Sequence, residues 1–251
     1  MRGLRADLHT HTVASGHGFS TVGEMAASAA IVGLDLIAIA DHGPGCPGGA
    51  HPYHFWNLKV LPSVLGGVRI LKGIEANIMA EDGSLDLPEE LLRMLDFVSV
   101  GFHPECGFDD GDVDRNTRAL LGVLANPLVD AITHPGNDKY PVHLAPVVEA
   151  AVRHNVILEL NAHSFDPLSS RAGSEARERE FAAAAFAAGA PLAIGSDAHF
   201  HLHVGRFEHA LAIAEELGIG PDDLVNRDAD TVLAFLTNRR ERPRLHVGGE
   251  W

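Results

Sequence analysis

Nine side chains of types that commonly bind metal ions lie just beyond the ends of short apolar runs. They are His9, His11, His17, His42, Glu75, His103, His134, Asp197 and His199. Because the same placement recurs after run upon run, we expect the ends of these runs to meet in space. Seven imidazoles and two carboxylates exceed the roughly four or five ligands that one ion takes, so the set predicts a site for about two or three metal ions.

The spacing of two pairs strengthens this prediction. His9 and His11, like Asp197 and His199, are two residues apart, and residues at this spacing in a strand point to the same side. A mixture of imidazole and carboxylate suits zinc, manganese or iron. A pair of surface histidines is the alternative for His9 and His11, and His17, taken alone, is more typical of an exposed loop histidine.

Glu75 is predicted to bridge two ions, because a carboxylate can share its oxygens between cations and a buried strand carboxylate is costly unless paired. His103 and His134 are each followed by a proline, which ends the strand at the candidate ligand. Asp41 precedes His42 and is predicted to accept a hydrogen bond that orients a metal-binding histidine.

Metal sites of this kind suit phosphoester hydrolysis, since a bound ion lowers the pKa of water and stabilises charge on phosphoryl oxygens. We predict catalytic roles for Glu75, Asp197 and His199.

Arg171 lies just before a helix and is predicted to contact the substrate phosphate. The equally open alternative is that Arg171 is an exposed loop arginine without a role in the site. His163 follows another apolar run and is predicted to face the same opening. No P-loop is present, and no Gly-x-Ser-x-Gly elbow follows a predicted strand.

Composition limits the partners. Lysine and arginine total 19 against 34 acidic residues, a formal charge of −15. The sequence contains no basic stripe, so nucleic acid binding is disfavoured.

No apolar run is long enough to span a membrane, and no secretion signal is evident, so we expect a cytoplasmic protein. Cys46 and Cys106 are too few for a disulfide scaffold, and loop packing is favoured over thiolate ligation.

The elements that position these residues alternate along the chain. Strand-length runs of Val, Ile, Leu and Ala are typical of parallel strands covered on both faces; they lie near Leu4 and at Leu36 to Ala40, Val68 to Ile74, Phe97 to Val100, Val129 to Ile132, Val156 to Leu160 and Pro191 to Ile194. Helix-like segments separate them, at Val22 to Val32, Leu87 to Leu95, Asn116 to Leu124, Leu144 to His154, Ser174 to Ala188 and Val204 to Leu217.

This alternation predicts either an open doubly wound sheet or a barrel. Nearly every strand ends in a candidate ligand, which favours an α/β, distorted TIM-like (β/α)7 barrel with its metal cleft at the C-terminal ends of the strands. We expect residues 1–251 to form a single domain. The long segment Gly43 to Asn57 is predicted to be an irregular lid or substrate wall, and a closing helix is expected at Thr231 to Arg240.

The ordered motifs resemble the PHP superfamily, named for polymerase and histidinol phosphatase domains, and within it are most similar to the YcdX-type phosphatases. The matching motifs are Asp7-Leu8-His9-Thr10-His11, Ala40-Asp41-His42-Gly43-Pro44, Gly73-Ile74-Glu75-Ala76-Asn77, Gly101-Phe102-His103, Thr133-His134-Pro135-Gly136-Asn137 and Gly195-Ser196-Asp197-Ala198-His199. Lys139-Tyr140 and Gly173-Ser174-Glu175 also agree.

The resemblance implies a distorted (β/α)7 barrel with three divalent ions, usually zinc, and activity on small phosphate esters. It implies three ligand groups: His9, His11, Glu75 and Asp197 for one ion, Glu75, His103 and His134 for a second, and His17, His42 and His199 for a third. Some members form trimers. This sequence departs from the family pattern at His163 and at Pro104-Glu105, so the resemblance leaves substrate choice open.

Two other functions stay open. Multinuclear metal sites also cut phosphodiesters, so a phosphodiesterase or nuclease is the alternative enzyme, although the missing basic stripe disfavours it. A non-catalytic metal-binding or regulatory protein on the same barrel is the alternative from another class. The complete set of nine ligands favours the metal-dependent phosphatase.

Overall fold

The predicted apolar runs form seven parallel strands of one sheet in the computed structural model, which describes residues 3–108, 111–167 and 169–239. A short antiparallel strand, β3, pairs with β4. The strands are β1 Ala6–Thr10, β2 Leu36–Ile39, β3 Val64–Leu65, β4 Val68–Asn77, β5 Phe97–Gly101, β6 Ala131–Ile132, β7 Ile157–Asn161 and β8 Leu192–Gly195.

The sheet curls into a nearly closed barrel. Its strands are ordered β1-β2-β4-β5-β6-β7-β8, and the two ends meet where the His11 amide donates to the Ala198 carbonyl at 2.8 Å. The Ala198 amide in turn donates to the His9 carbonyl at 3.3 Å. The predicted (β/α)7 barrel is therefore confirmed, with the closure made just beyond the end of β8.

Helices surround the barrel, and the last of them packs against its interior layer. They are α1 Val22–Val32, α2 Pro52–Asn57, α3 Glu89–Leu92, α4 Val113–Ala125, α5 Leu144–His154, α6 Glu175–Ala188, α7 Glu208–Glu216 and α8 Ala229–Arg239. The bounds of α1 follow from its caps, because Thr21 and Glu24 form a capping box and Gly33 ends the helix in the left-handed conformation. Within the described ranges no helix has the length and apolar character needed to cross a bilayer.

Two apolar layers result from the alternation of side chains along the strands. One fills the barrel interior and consists of Ala6, Leu8, Leu36, Ala38, Leu71, Phe97, Ala131, Ile157 and Ala193. Val232 and Leu236 of α8 pack against this interior layer. The other layer, between sheet and helices, includes Ile37, Ile39 and Val98. Residues that continue the inward alternation beyond the strands' C-terminal ends therefore enter the mouth of the barrel.

The structure differs from the sequence prediction in the connecting segments. The segment Gly43 to Asn57 was predicted to be irregular, but its last part forms α2, which begins with Pro52, a residue suited to the first helical turn. The hairpin of β3 and β4 turns at Gly66 and Gly67, both at positive φ, and no sequence signal had been assigned to it. Residues 240–251, the end of the predicted closing segment, lie outside the described residues.

Candidate metal centre

Strand alternation explains why the predicted ligands gather at the barrel mouth. Glu75 lies four residues beyond Leu71 of β4, and Asp197 lies four residues beyond Ala193 of β8; both reference residues belong to the interior layer. An even separation along a strand keeps the Glu75 side chain on the interior face, whereas Asp197 lies beyond the end of β8 with its backbone at φ 54°. The pairing of β1 with β2 is irregular between Asp7 and Thr10. This stretch contains the first candidate ligand, His9.

One oxygen of Glu75 faces three imidazoles. The carboxylate is fully buried, and its Oε2 lies 3.3 Å from His9 Nε2, 3.5 Å from His11 Nε2 and 3.1 Å from His42 Nδ1. These four atoms are buried and form no hydrogen bond of acceptable geometry. Burying polar atoms without hydrogen bonds costs free energy. These four atoms converge on one point as the ligands of a metal ion do.

The other oxygen of Glu75 faces a different group. Its Oε1 lies 2.9 Å from His134 Nε2 and 3.2 Å from His103 Nε2, and it accepts a hydrogen bond of 2.6 Å from Thr133 Oγ1. His103 Nε2 is another buried atom without a hydrogen bond. The two oxygens thus point to two sets of imidazoles, which is the arrangement expected of a bridging carboxylate.

Asp197 completes the wall of the first group. Its backbone is held at φ 54°, and its Oδ1 lies 3.4 Å from both His9 Nε2 and His11 Nε2. Its Oδ2 accepts a hydrogen bond from Arg171 and one of 3.3 Å from Asn161 Nδ2. Burial opposes ionisation of Asp197, but His9 and Arg171 outweigh it and hold the pKa of this carboxyl well below its usual range.

A third cluster of histidines lies toward solvent. The His11 and His199 rings stack with centroids 4.1 Å apart, and His17 Nε2 lies 2.9 Å from His199 Nε2. Potential ligand atoms of His11, His42 and His199 all lie within 4.8 Å of one another. The resemblance instead grouped His17 with His42 and His199, so the structure brings His17 to the cluster but places His11 in the tighter group.

The pKa values of three imidazoles favour the form that binds metal, whereas the charges of Glu159, Glu75 and Asp197 outweigh burial and hold the pKa of His9 well above its usual value. Burial lowers the pKa of His134 to about 4, aided by the charge of Arg171, and burial likewise lowers the pKa of His199 to about 4. Burial also holds the pKa of His11 well below its usual value. A neutral imidazole has the free lone pair that a metal ion requires.

Glu75 itself stays ionised. Burial raises the pKa of this carboxyl, but the imidazoles of His103 and His9 outweigh burial and hold the pKa well below its usual range. In the metal-free site these imidazoles therefore compensate the charge of the buried carboxylate, a role that a bound divalent cation would take over.

Hydrogen bonds from a surrounding layer fix the candidate ligands. His11 Nδ1 contacts Ser15 Oγ at 3.0 Å, and Ser15 Oγ donates to Asp41 Oδ1 at 2.7 Å. Asp41 was predicted to orient a ligand, and the structure connects it to His11 through Ser15. On another wall, His103 Nδ1 lies 2.7 Å from Asn77 Oδ1.

Glu159 is the residue of this layer that sequence reasoning missed. It lies in β7 at 7% exposure, and its Oε1 accepts a hydrogen bond of 2.8 Å from His9 Nδ1. Its Oε2 accepts from the backbone amide of His134 at 2.8 Å. Glu159 lies in a strand-length apolar run as Glu75 does, and a buried strand carboxylate is costly unless paired, so the same physical reason indicates a structured site for it.

The candidate ligands open onto a cavity of about 440 Å³. Arg171 and His163, the two predicted substrate-binding residues, both line it. The Arg171 guanidinium is 9% exposed and lies against Asp197, with Nε donating to Ser164 Oγ at 3.2 Å. Arg171 is therefore a buried residue of the site and not an exposed loop arginine.

The two cysteines lie beside each other, with Cys46 at the cavity wall and Cys106 buried. A hydrogen bond with Cys106 lowers the pKa of Cys46 to about 7, whereas the same contact raises the pKa of Cys106. Among the described residues, the groups whose ligand atoms converge contain histidine and glutamate but no cysteine, in keeping with the preference for loop packing over ligation.

Comparison with known proteins identifies the family. The model of the PHP domain matches residues 7–217. A probable phosphatase of Caldanaerobacter subterraneus subsp. tengcongensis is 47% identical over 98% of this chain and 94% of its own length. A probable phosphatase of Acetivibrio thermocellus is 44% identical over 95% of this chain and 97% of its own length.

A solved structure shows the same fold at low sequence identity. The histidinol phosphate phosphatase of Lactococcus lactis subsp. lactis, complexed with zinc, L-histidinol and phosphate, aligns with a TM-score of 0.61 and 16% identity. The alignment covers 86% of this chain and 94% of that one. With the family model spanning most of the chain, and relatives aligned over almost all of it, the protein belongs to the PHP family.

Proposed function

We propose that the protein is a metal-dependent phosphatase that hydrolyses small phosphate monoesters at a site of three divalent ions, with zinc favoured over manganese or iron. The coarser assignment, a phosphoric ester hydrolase, is supported by relatives called probable phosphatases that align over 95% and 98% of this chain. The observation that carries the metal site is the Glu75 carboxylate, whose two oxygens face two sets of imidazoles.

The proposed number and identity of the ions rest on the number and type of the candidate ligands. His9, His11, Glu75 and Asp197 would hold one ion, and Glu75, His103 and His134 a second. His42 and His199, with His17 or His11, would hold a third. Predominantly imidazole ligands favour zinc, and the zinc-containing structure of the Lactococcus lactis protein supports the same choice.

The chain's own residues prepare the reaction. A bound divalent ion supplies a Lewis acid and a hydroxide at neutral pH. Glu75, Asp197 and His199 are the proposed catalytic residues because they would hold the ions against the cavity that admits the substrate. Arg171 fixes the orientation of Asp197 and adds positive charge at the wall where a phosphoryl group would lie. His163 is proposed as a second substrate-binding residue on the same wall.

The test is phosphate release by the zinc-loaded or manganese-loaded protein from a panel of monoesters and diesters, including an oligonucleotide. We expect monoesters to be hydrolysed faster than diesters and Glu75→Gln to lower kcat about 100-fold or more, as losses of essential metal-site groups do. Faster cleavage of diesters would establish the phosphodiesterase alternative. No release from any ester, with Glu75→Gln identical to the parent, would support a non-catalytic protein.

A further inference from the structure

Backbone strain singles out one residue at the cavity that the metal site does not use. In the described part of the chain, four residues other than glycine adopt positive φ: Glu105, His134, Asn155 and Asp197. Asn155 ends α5 as its left-handed cap. His134 and Asp197 are candidate ligands. Such backbone conformations cost free energy and cluster at functional sites, so Glu105, at φ 63°, needs an explanation.

Glu105 lies on the cavity wall, and its carboxylate forms no ion pair with another described residue. It follows Pro104 in the loop after β5, is exposed, and lines the cavity beside His103. No lysine, arginine or histidine nitrogen of the described residues lies within 4.0 Å of its carboxylate. The strained backbone thus directs an unpaired carboxylate to the opening above the candidate metal ligands.

Lys139 supplies the opposite charge on the neighbouring loop. It follows β6, is exposed, and lines the same cavity, and its backbone amide donates to Asn137 Oδ1 at 3.1 Å. Among the described residues no carboxylate lies within 4.0 Å of the Lys139 ammonium. Lys59 and Lys72, the other two lysines, form no ion pair with a described carboxylate either, so what distinguishes Lys139 is its place on the cavity wall.

The two charges do not neutralise each other. Strands β5 and β6 are neighbours in the barrel, so the loops that carry Glu105 and Lys139 lie side by side, yet the two side chains are not within ion-pair distance. A cavity of about 440 Å³ is of the size that holds a small metabolite. One side of it presents metal ligands and Arg171, and its rim presents one free carboxylate and one free ammonium.

We propose that Glu105 and Lys139 bind the leaving group of the substrate, and that this group carries both an amine and a carboxylate, as in an amino acid phosphorylated on its side-chain hydroxyl. The proposal rests on the proposed phosphatase function and adds the class of substrate. Glu105 accepts hydrogen bonds from the amine, and Lys139 donates to the carboxylate, while the phosphoryl group lies toward Glu75 and Arg171. Pairs of this kind give geometric selectivity as well as affinity.

The test compares four monoesters of primary alcohols that differ in the charges of the leaving group. O-phosphoserine carries amine and carboxylate, phosphoethanolamine the amine, 3-phosphoglycerate the carboxylate, and glycerol 3-phosphate neither. For each ester, kcat/KM is expressed relative to glycerol 3-phosphate. We expect the parent to prefer O-phosphoserine. Glu105→Gln should lower the ratio for both amine-bearing esters about five- to tenfold through KM, and Lys139→Met should do so for both carboxylate-bearing esters.

Matched surface variants exclude a general charge effect. Glu90→Gln on α3 and Lys59→Met beside Trp56 change the same charges away from the cavity and should leave all ratios as in the parent. If only one of the two cavity variants changes its ratio, the leaving group has a single charge and the proposal is wrong. Equal rates for all four esters in the parent would overturn the proposal but keep the phosphatase, whereas release from none of them would overturn both.

Discussion

Glu75 and Glu159 are two buried strand carboxylates with different partners. Glu75 faces five imidazoles and carries most of the candidate metal site. Glu159 lies below it and holds the ring of His9 and the backbone of His134, two candidate ligands of different ions. Hydrogen bonds of this kind fix the tautomer and direction of a metal-binding histidine. Glu159 is therefore a positioning residue for both groups.

Replacement of Glu159 should weaken metal binding without removing a ligand. In Glu159→Gln the amide is a weaker acceptor for His9 Nδ1, so we expect the affinity for zinc to fall about 10- to 100-fold, measured by competition with a chromophoric chelator. Glu149→Gln, an exposed change on α5, is the control. An unchanged zinc affinity in Glu159→Gln would show that His9 and His134 hold their positions without it.

Glu178 should make the stability of the metal-free protein depend on pH. Burial, with the charge of Glu159, raises the pKa of this carboxyl to about 8 from the ordinary 4.5. The unfolded chain loses this proton near the ordinary value, whereas the folded protein keeps it to about pH 8. The stabilising contribution is therefore complete below pH 4.5 and is lost as the pH rises through 8.

The measurement is Tm as a function of pH for the metal-free parent and Glu178→Gln. We expect the parent to lose several degrees more than the variant between pH 5 and about 8. Glu175→Gln, an exposed change at the start of α6, should behave as the parent does. Parallel curves for the parent and Glu178→Gln would mean that the carboxyl is already ionised in the folded protein.

At the scale of elements, the strands and the helices between them were predictable, whereas the loops and the short hairpin were not. Near-continuous apolar runs indicated the seven parallel strands, and the helix predicted at Val22 to Val32, with Gly33 as its stop, has those bounds in the structure. The β3–β4 hairpin was missed because β3 has only two residues. The contacts between loops, such as His17 with His199, depend on the closed barrel and have no local signal in the sequence.

Strand β8 carries an element-scale prediction at Gly195. A Cβ atom at this position would lie 1.9 Å from Glu159 Oε1 and 2.8 Å from the His9 Cβ, so the strand needs glycine to pass beside the carboxylate. We expect Gly195→Ala to displace Glu159 and to lower zinc affinity as Glu159→Gln does, with a lower Tm, measured by chelator competition and calorimetry.

Gly23→Ala in α1 is the matched control, because its Cβ would meet no atom closer than 3.9 Å and alanine favours the helix by about 1 kcal/mol. It should keep the parent's zinc affinity with an equal or higher Tm. A Gly195→Ala protein with the parent's zinc affinity and Tm would mean that β8 can move away from Glu159 at little cost.

For the molecule as a whole, the net charge of −15 and the buried carboxylates have a common consequence. Several divalent ions at the barrel mouth would offset part of that charge at the proposed substrate site, so an anionic monoester would be attracted there while a polyanion would meet an acidic surface. The sequence shows this charge balance and predicted nine candidate ligands, but it did not predict Glu159, whose partners become neighbours only through the fold. The single domain and the trimer implied by the resemblance stay predictions.

Titration of the metal-free protein with zinc decides whether the protein is a phosphatase with three metal ions. Bound zinc is measured by elemental analysis, and phosphate release from a monoester is followed at each step. We expect binding to end at three ions per chain and activity to appear as the sites fill, and we expect a chelator to abolish that activity. Full activity with one ion or none per chain would rule out a catalytic site of three ions.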